Sequence, residues 1–229
     1  MFTPESALAE PLDANEARLL GVLIEKSLAT PENYPLTINA AVAGANQKSN
    51  RDPQMSLSQI EVEGALARLV VLGLTGRVVP SGSRVEKYRH NAEEILKVDQ
   101  TKLAILAELL VRGPQTKGEL RQRANRMRPI ESLGELDNHL NPLINQGWVV
   151  AAPPAPGSRA GRFAQILSGP VAGASAATAP APITPTAAVA SPAHESQDRV
   201  EKLEAEVALL RRQLDHLAST LGESLPGES

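Results

Sequence analysis

The sequence predicts a mainly helical α+β fold: two tandem winged helix-turn-helix domains, then an Ala/Pro linker without fixed structure and a C-terminal coiled-coil helix. Three observations carry that expectation. The first is a weak internal duplication, in which Gly82-Ser83-Arg84-Val85-Glu86-Lys87-Tyr88 returns as Gly157-Ser158-Arg159-Ala160-Gly161-Arg162-Phe163 at an offset of 75. The second lies just upstream, where Val62, Leu66, Leu69, Val70 and Gly73 return as Leu136, Leu140, Leu143, Ile144 and Gly147 at an offset of 74. Such a block is a helix that buries one face, stops at glycine and leads into a short hairpin. The third is a heptad seam near the C-terminus, formed by Val200, Leu203, Val207, Leu210, Leu214, Leu217 and Leu221 at alternating spacings of 3 and 4.

In chain order, residues 1–11 are expected to be a disordered N-terminus and residues 12–98 the first winged-helix domain. Asp13 with Glu16 reads as a capping box ahead of a helix that buries Leu20, Leu23, Ile24 and Leu28. Thr37 caps a short second helix, Ile38 to Ala45, and Ser58 with Glu61 opens the third. The wing strands are then about Leu74 to Pro80 and Arg84 to His90. Residues 99–168 form the second domain. Asp99 opens a helix with Leu103, Leu106, Ala107 and Leu110 on one face, Thr116 with Glu119 caps the next, and a third helix falls within 131–147. Pro142 removes a backbone donor from that third helix and is expected to kink it. Its wing strands are about Trp148 to Ala152 and Gly161 to Leu167.

Beyond the domains, Ala164 to His194 contains no charged residue but five prolines, too broken for a membrane helix and too poor in large side chains for a core. It is read as a flexible linker over 169–195, able to reach roughly 80 Å if extended at ~3.1 Å per residue. The coiled-coil helix is placed at 196–222 and a disordered tail at 223–229. Valine at the a positions with leucine at d favours a parallel two-stranded pairing, and Arg199 with Glu204 and Glu206 with Arg211 supply complementary g–e' pairs. A homodimer through this seam is expected, with an intramolecular fold-back or another chain as the alternative.

Composition narrows the chemistry. Only five aromatic residues are present, which disfavours single-strand binding by base stacking. The chain has no cysteine and four scattered histidines without metal-ligand spacing, so no metal, cofactor or catalytic residue is expected and no enzyme is read. A net charge of −3 divides into −2 over 1–98, +3 over 99–168 and −4 over 169–229. The opening Met-Phe-Thr-Pro-Glu-Ser is not a secretory signal, and the expectation is a soluble cytoplasmic protein.

The run Glu25-Lys26-Ser27-Leu28-Ala29-Thr30-Pro31-Glu32-Asn33-Tyr34-Pro35-Leu36-Thr37 resembles the signature of the bacterial YceH family of uncharacterised proteins. So do Asn46-Gln47-Lys48-Ser49-Asn50-Arg51-Asp52-Pro53 and Gly113-Pro114-Gln115-Thr116-Lys117-Gly118-Glu119-Leu120-Arg121. The resemblance covers about residues 12–168. It implies the tandem winged-helix fold and assigns no catalytic residue. Ala45 stands where a cysteine is common before Asn-Gln-Lys, and Lys117 replaces a frequent proline.

A winged helix on duplex DNA meets phosphates with basic side chains on its wing and helix-turn region. The candidates are Lys48, Arg51, Arg84, Lys87, Arg89, Lys117, Arg121, Arg159 and Arg162. Arg123 and Arg126 belong to the same basic stretch but fall on another side of the wheel. Against major-groove reading, residues 56–73 carry Glu61 and Glu63 with a single Arg68, and 131–147 carry acids and no Lys or Arg. The loop Asn46 to Pro53 is read either as an extended turn with Arg51 tied to a carboxylate or as a recognition loop. Two functions stay open: a DNA-binding regulator that holds the backbone through basic wings, or a protein-interaction adaptor that uses the same folds as docking surfaces.

Overall fold

Asp13, Thr37, Ser58, Asp99, Thr116 and Ser132 each turn a side-chain oxygen onto a backbone N–H of the next turn, and each starts a helix. Asp13/Glu16, Ser58/Glu61 and Thr116/Glu119 close as full capping boxes. The helices are α1 (Ala14–Ala29), α2 (Ile38–Ala45), α3 (Gln59–Val71), α4 (Ala92–Leu96), α5 (Gln100–Arg112), α6 (Lys117–Ala124) and α7 (Leu133–Asn145), with a 3-10 turn at Pro31–Asn33. The computed structural model describes residues 10–82 and 84–170. The expected N-terminal segment as far as residue 9, the linker from 171, the coiled-coil helix with its seven seam residues, and the tail lie outside the described residues.

Two antiparallel sheets complete a mixed α+β fold. Strand β1 (Thr75–Val78) pairs with β2 (Lys87–His90), with Thr75 opposite His90 and Val78 opposite Lys87. The second sheet has the order β3-β5-β4, built from β3 (Gln115–Thr116), β4 (Val149–Ala152) and β5 (Arg162–Gln165). The repeat seen in the sequence occupies matching places. Tyr88 faces Arg77 across its hairpin and bridges Leu36 on the other side, while Phe163 faces Ala151 and Gln115. Gly73 and Gly147 end α3 and α7 at φ +74° and +76°, the left-handed geometry that glycine enters without a Cβ penalty.

The segments 12–98 and 99–168 share one hydrophobic core that runs from Leu12 to Leu167. Its axis is the pair α1 and α5. Every residue from Glu16 to Glu25 is buried, as is every residue from Leu103 to Val111. The one-sided faces expected for these helices therefore widen to include Leu19, Val22, Ile105 and Val111, because each helix packs against its own half and against the other helix. Leu28, in the last turn of α1, is only partly buried. Gly21 sits at the closest approach: a Cβ there would lie 2.8 Å from Leu110 Cβ and 2.8 Å from Val111 Cγ1. Leu12 N donates to Leu167 O at 2.8 Å, so the two ends of the shared core are tied together.

Three local features refine the sequence expectation. Helix α6 stops at Ala124, so the basic stretch 117–128 is not one rod. Helix α7 runs through Pro142, whose missing N–H leaves the carbonyl of Asn138, an exposed residue, without its helical donor. Helix α4 and strand β3 are too short to leave a periodic signal. Among the described residues, no helix is long and apolar enough to cross a membrane.

Candidate nucleic-acid interface

The β1–β2 hairpin is the most basic projection among the described residues. Arg77, Arg84 and Arg89 are exposed and Lys87 is half-buried, and none of the four makes an ion pair within the described residues. Lys87 and Arg89 alternate with inward Tyr88 and so share one face of the ribbon, with Val78 and Gly76 opposite them. Glu86 is the only acid between Arg77 and Arg89. Arg77 is absent from the sequence candidates; it stands opposite Tyr88, exposed at the outer end of the phase that begins at buried Thr75, and its signal is the lone cation in a strand otherwise of Thr, Gly and Val.

The base of the hairpin is locked to α1 and to the turn after it. The His90 amide donates to Tyr34 Oη at 2.5 Å, and the His90 ring Nε2 lies 2.8 Å from Ser27 Oγ. The Ser27 hydroxyl donates to Ile24 O at 2.8 Å, so it receives its second hydrogen bond from a His90 Nε2–H. Burial, together with the neighbouring Arg89 charge, pushes the His90 pKa down to about 4. Burial likewise pushes the Tyr34 hydroxyl up to about 12 against the opposing hydrogen bond from His90.

Four of the other candidates are committed to internal contacts, and as free phosphate ligands they are withdrawn or reduced. Arg51 is 5% exposed and cannot meet solvent. Its guanidinium donates to Glu25 Oε2 at 2.5 Å, to Gly44 O at 2.9 Å and to Asn50 O at 2.7 Å. Lys117 pairs with Asp137 at 2.6 Å and lies 5.8 Å from the centre of the Phe163 ring. Arg121 donates to Ile130 O and Glu131 O, and Arg162 donates to Pro153 O at 2.8 Å. Exposed Lys48 and Arg159 make no ion pair within the described residues.

Arg51 is tied to a carboxylate, as one reading of its loop expects, and belongs to a larger buried ionic joint whose other members the sequence did not reveal. Glu25 and Glu108, whose side chains are 3% and 0% exposed, both accept from Arg126 at 2.6 Å. Glu108 also pairs with Arg112 at 3.3 Å, and Arg112 reaches the Asn50 side chain. Asp52 N donates to Val111 O at 3.0 Å, and Arg18 donates to Pro53 O at 2.7 Å and Ala45 O at 3.2 Å. The loop Asn46 to Pro53 is thus an extended turn that clamps α1 to α5, as its turn-rich composition suggests, with Asn46 exchanging two hydrogen bonds with the Leu57 backbone. Burial pushes the Glu25 carboxyl up, but Arg51, Arg126 and Lys26 outweigh it and hold it below the usual carboxylate value. The overlooked signal is Glu108, a lone glutamate inside the apolar run Leu103 to Val111, while Glu25 closes the apolar run Gly21 to Ile24.

The outward faces of the third helices carry no candidate cation. Helix α3 exposes Ile60, Glu61, Glu63, Gly64, Ala67 and Val71, and its one arginine, Arg68, pairs with Glu10 and lies 3.9 Å from Glu16. Helix α7 exposes Leu133, Gly134, Asn138, Asn141 and Asn145. A polar cleft of about 360 Å³ opens between the start of α6 and the β4–β5 turn, lined by Asp52, Arg112, Gln115, Glu119, Arg123 and Arg162 among others. Its charges answer one another: Arg123 donates to Gln115 at 2.6 Å and Glu119 at 3.1 Å, while Arg112 serves Glu108. Among the described residues, no group of three His, Cys, Asp or Glu is placed to hold a metal.

A family model described as "Protein of unknown function, DUF480" matches residues 12–158. A UPF0502 protein of Aeromonas hydrophila is 41% identical over 213 residues, covering 91% of this chain and 95% of its own length. A UPF0502 protein of Geobacter metallireducens is 43% identical over 198 residues, covering 86% and 88%. The UPF0502 protein YceH of Salmonella paratyphi B is 39% identical over 219 residues, covering 93% and 98%.

Proposed function

This chain belongs to the DUF480 family, among the UPF0502 (YceH) proteins, and from that premise we propose that it is a non-catalytic tandem winged-helix protein that holds the backbone of duplex DNA. The winged-helix reading is supported by the order of three helices and a hairpin in each half, by the matching glycine stops, and by the shared register of Tyr88 and Phe163. The function rests on one observation: the β1–β2 hairpin carries Arg77, Arg84, Lys87 and Arg89 without an ion pair to any described residue. Cations with no carboxylate partner are free to replace counterions on phosphate. With α3 acidic and apolar on its outer face, base reading from that helix is disfavoured, and binding is weak, salt-steep and nearly independent of sequence.

The test is fluorescence anisotropy with two unrelated labelled duplexes at low salt. Binding of both, and its loss for both in the Arg84→Ala/Lys87→Ala/Arg89→Ala variant, is expected. An affinity that survives the triple change, or no binding by the unaltered chain, overturns the reading. A second reading, as a protein-interaction adaptor, is favoured by the apolar row on α3, which suits a protein surface and not a phosphate backbone.

A further inference from the structure

We propose that the outer face of α3 is a self-complementary surface that pairs with the same helix of a second copy of this chain, antiparallel about a two-fold axis midway between Gly64 and Ala67. Ile60 and Val71 are the two most exposed large hydrophobic residues among those described, at 81% and 76%. Both lie on one stripe of α3, with exposed Gly64 and Ala67 between them at helical spacings of 4, 3 and 4. A Cβ added at Gly64 would meet nothing within 4 Å, so the middle of the stripe is flat and open. A large-small-small-large order is symmetric about its centre, as an isologous contact requires. Small residues let the helices approach at the crossing point, and the aliphatics fill the gap as the helices diverge.

Charge follows the same symmetry. In an antiparallel pair, Ile60 lies over Val71 of the second copy and Gly64 over its Ala67. On one flank, Glu61 then comes beside Arg68 of the second copy. Glu61 already accepts from Ser58 N at 2.8 Å and Ser58 Oγ at 2.7 Å through Oε2. Its other oxygen is left to receive the partner's Arg68 guanidinium, which holds Glu10 of its own chain through Nη2, lies 3.9 Å from Glu16 through Nε and, with its side chain 37% exposed, can turn only its Nη1 edge to the second copy. A parallel pairing instead brings Glu61 beside Glu63 of the second copy, acid against acid. The stripe is about 16 Å long at 1.5 Å per residue. Alone it buries less than the roughly 800 Å² per partner of a standard interface, so the contact is concentration-dependent. The surface is separate from the basic hairpin, and the inference does not rest on DNA binding.

The chain has no cysteine, so single substitutions give clean cross-linking reports. The experiment uses the full chain under mild oxidation, with circular dichroism to confirm folding of each exposed-site variant. Ala67→Cys, about 4 to 5 Å along the axis from its symmetry mate, is expected to form a disulfide dimer, and Gly64→Cys provides an independent second position. Ile60→Cys alone, about 16 Å from its mate, is expected to stay uncross-linked, while a mixture of differently tagged Ile60→Cys and Val71→Cys chains gives mixed dimers. Adding Ile60→Asp and Val71→Asp to Ala67→Cys should lower the dimer yield at least tenfold. No cross-link at either 64 or 67, efficient Ile60→Cys self-linking, or a yield unaffected by the aspartates overturns the proposal. A dimer formed only through residues 200–221 gives the first of these results.

Discussion

The two halves of the described region have the same skeleton and use their charges in opposite directions. In residues 12–98 the hairpin cations point to solvent without carboxylate partners, whereas in 99–168 Lys117, Arg123 and Arg126 are each held by an acid. The basic total of the second half, read as one number, suggests the better DNA surface. Geometry reverses that ranking, because a guanidinium already facing a carboxylate has little to gain from a phosphate. What distinguishes the first hairpin from the basic stretch Lys117 to Arg126 is therefore the partnering of their cations and not their number.

The largest expected effect is at the joint. Arg51→Ala leaves Glu25 buried with one fewer partner and should cost about 3–5 kcal/mol of stability, against no more than about 0.5 kcal/mol for exposed Arg84→Ala. Urea denaturation of both variants measures the contrast. Near-equal losses would mean that Arg51 is as solvated as the hairpin cations.

A pH scan follows in size. The His90 pKa falls from 6.5 free to about 4 in the folded chain. The unfolded state therefore takes up the proton first as pH drops, and stability is lost between about pH 6.5 and 4, by about 3 kcal/mol in full. Glu25, held below its usual 4.5, adds a further loss as pH falls below that value. His90→Gln should flatten the first window and leave the second. Thermal melts at pH 7 and pH 4.5 compare the two chains.

At the contact between α1 and α5, Gly21→Ala should cost about 1–3 kcal/mol, since its Cβ would overlap Leu110 and Val111 in a packed core. Gly82→Ala, on the open hairpin turn, carries only the backbone cost of its positive φ.

Much of this skeleton was legible in the sequence. Capping boxes at Asp13, Ser58 and Thr116 act within one turn, and the glycine stops at 73 and 147 obey local sterics, so both appear where the sequence places them. The hairpin strands were located, with ends shortened by a few residues. Strand β3 and the Leu36–Tyr88 bridge were not legible, because two-residue or single-residue pairings leave no period. The site was read less well. Arg51, Lys117, Arg121 and Arg162 look alike in sequence to Arg84, Lys87 and Arg89. Which cation is held internally depends on partners that the fold brings together, Glu25 for Arg51, Asp137 for Lys117 and backbone carbonyls for Arg121 and Arg162, and spacing carries no trace of that.

The salt dependence of duplex binding tests the outward-against-inward distinction most directly. Two triple variants are compared with the unaltered chain, Arg84→Ala/Lys87→Ala/Arg89→Ala in the first half and Lys117→Ala/Arg121→Ala/Arg162→Ala in the second. The account predicts that the first set lowers the slope of log affinity against log salt by about 3, roughly one per phosphate contact, and that the second changes it by less than about 1. A larger fall from the second set, or equal falls from both, would contradict the claim that pairing decides which half meets DNA.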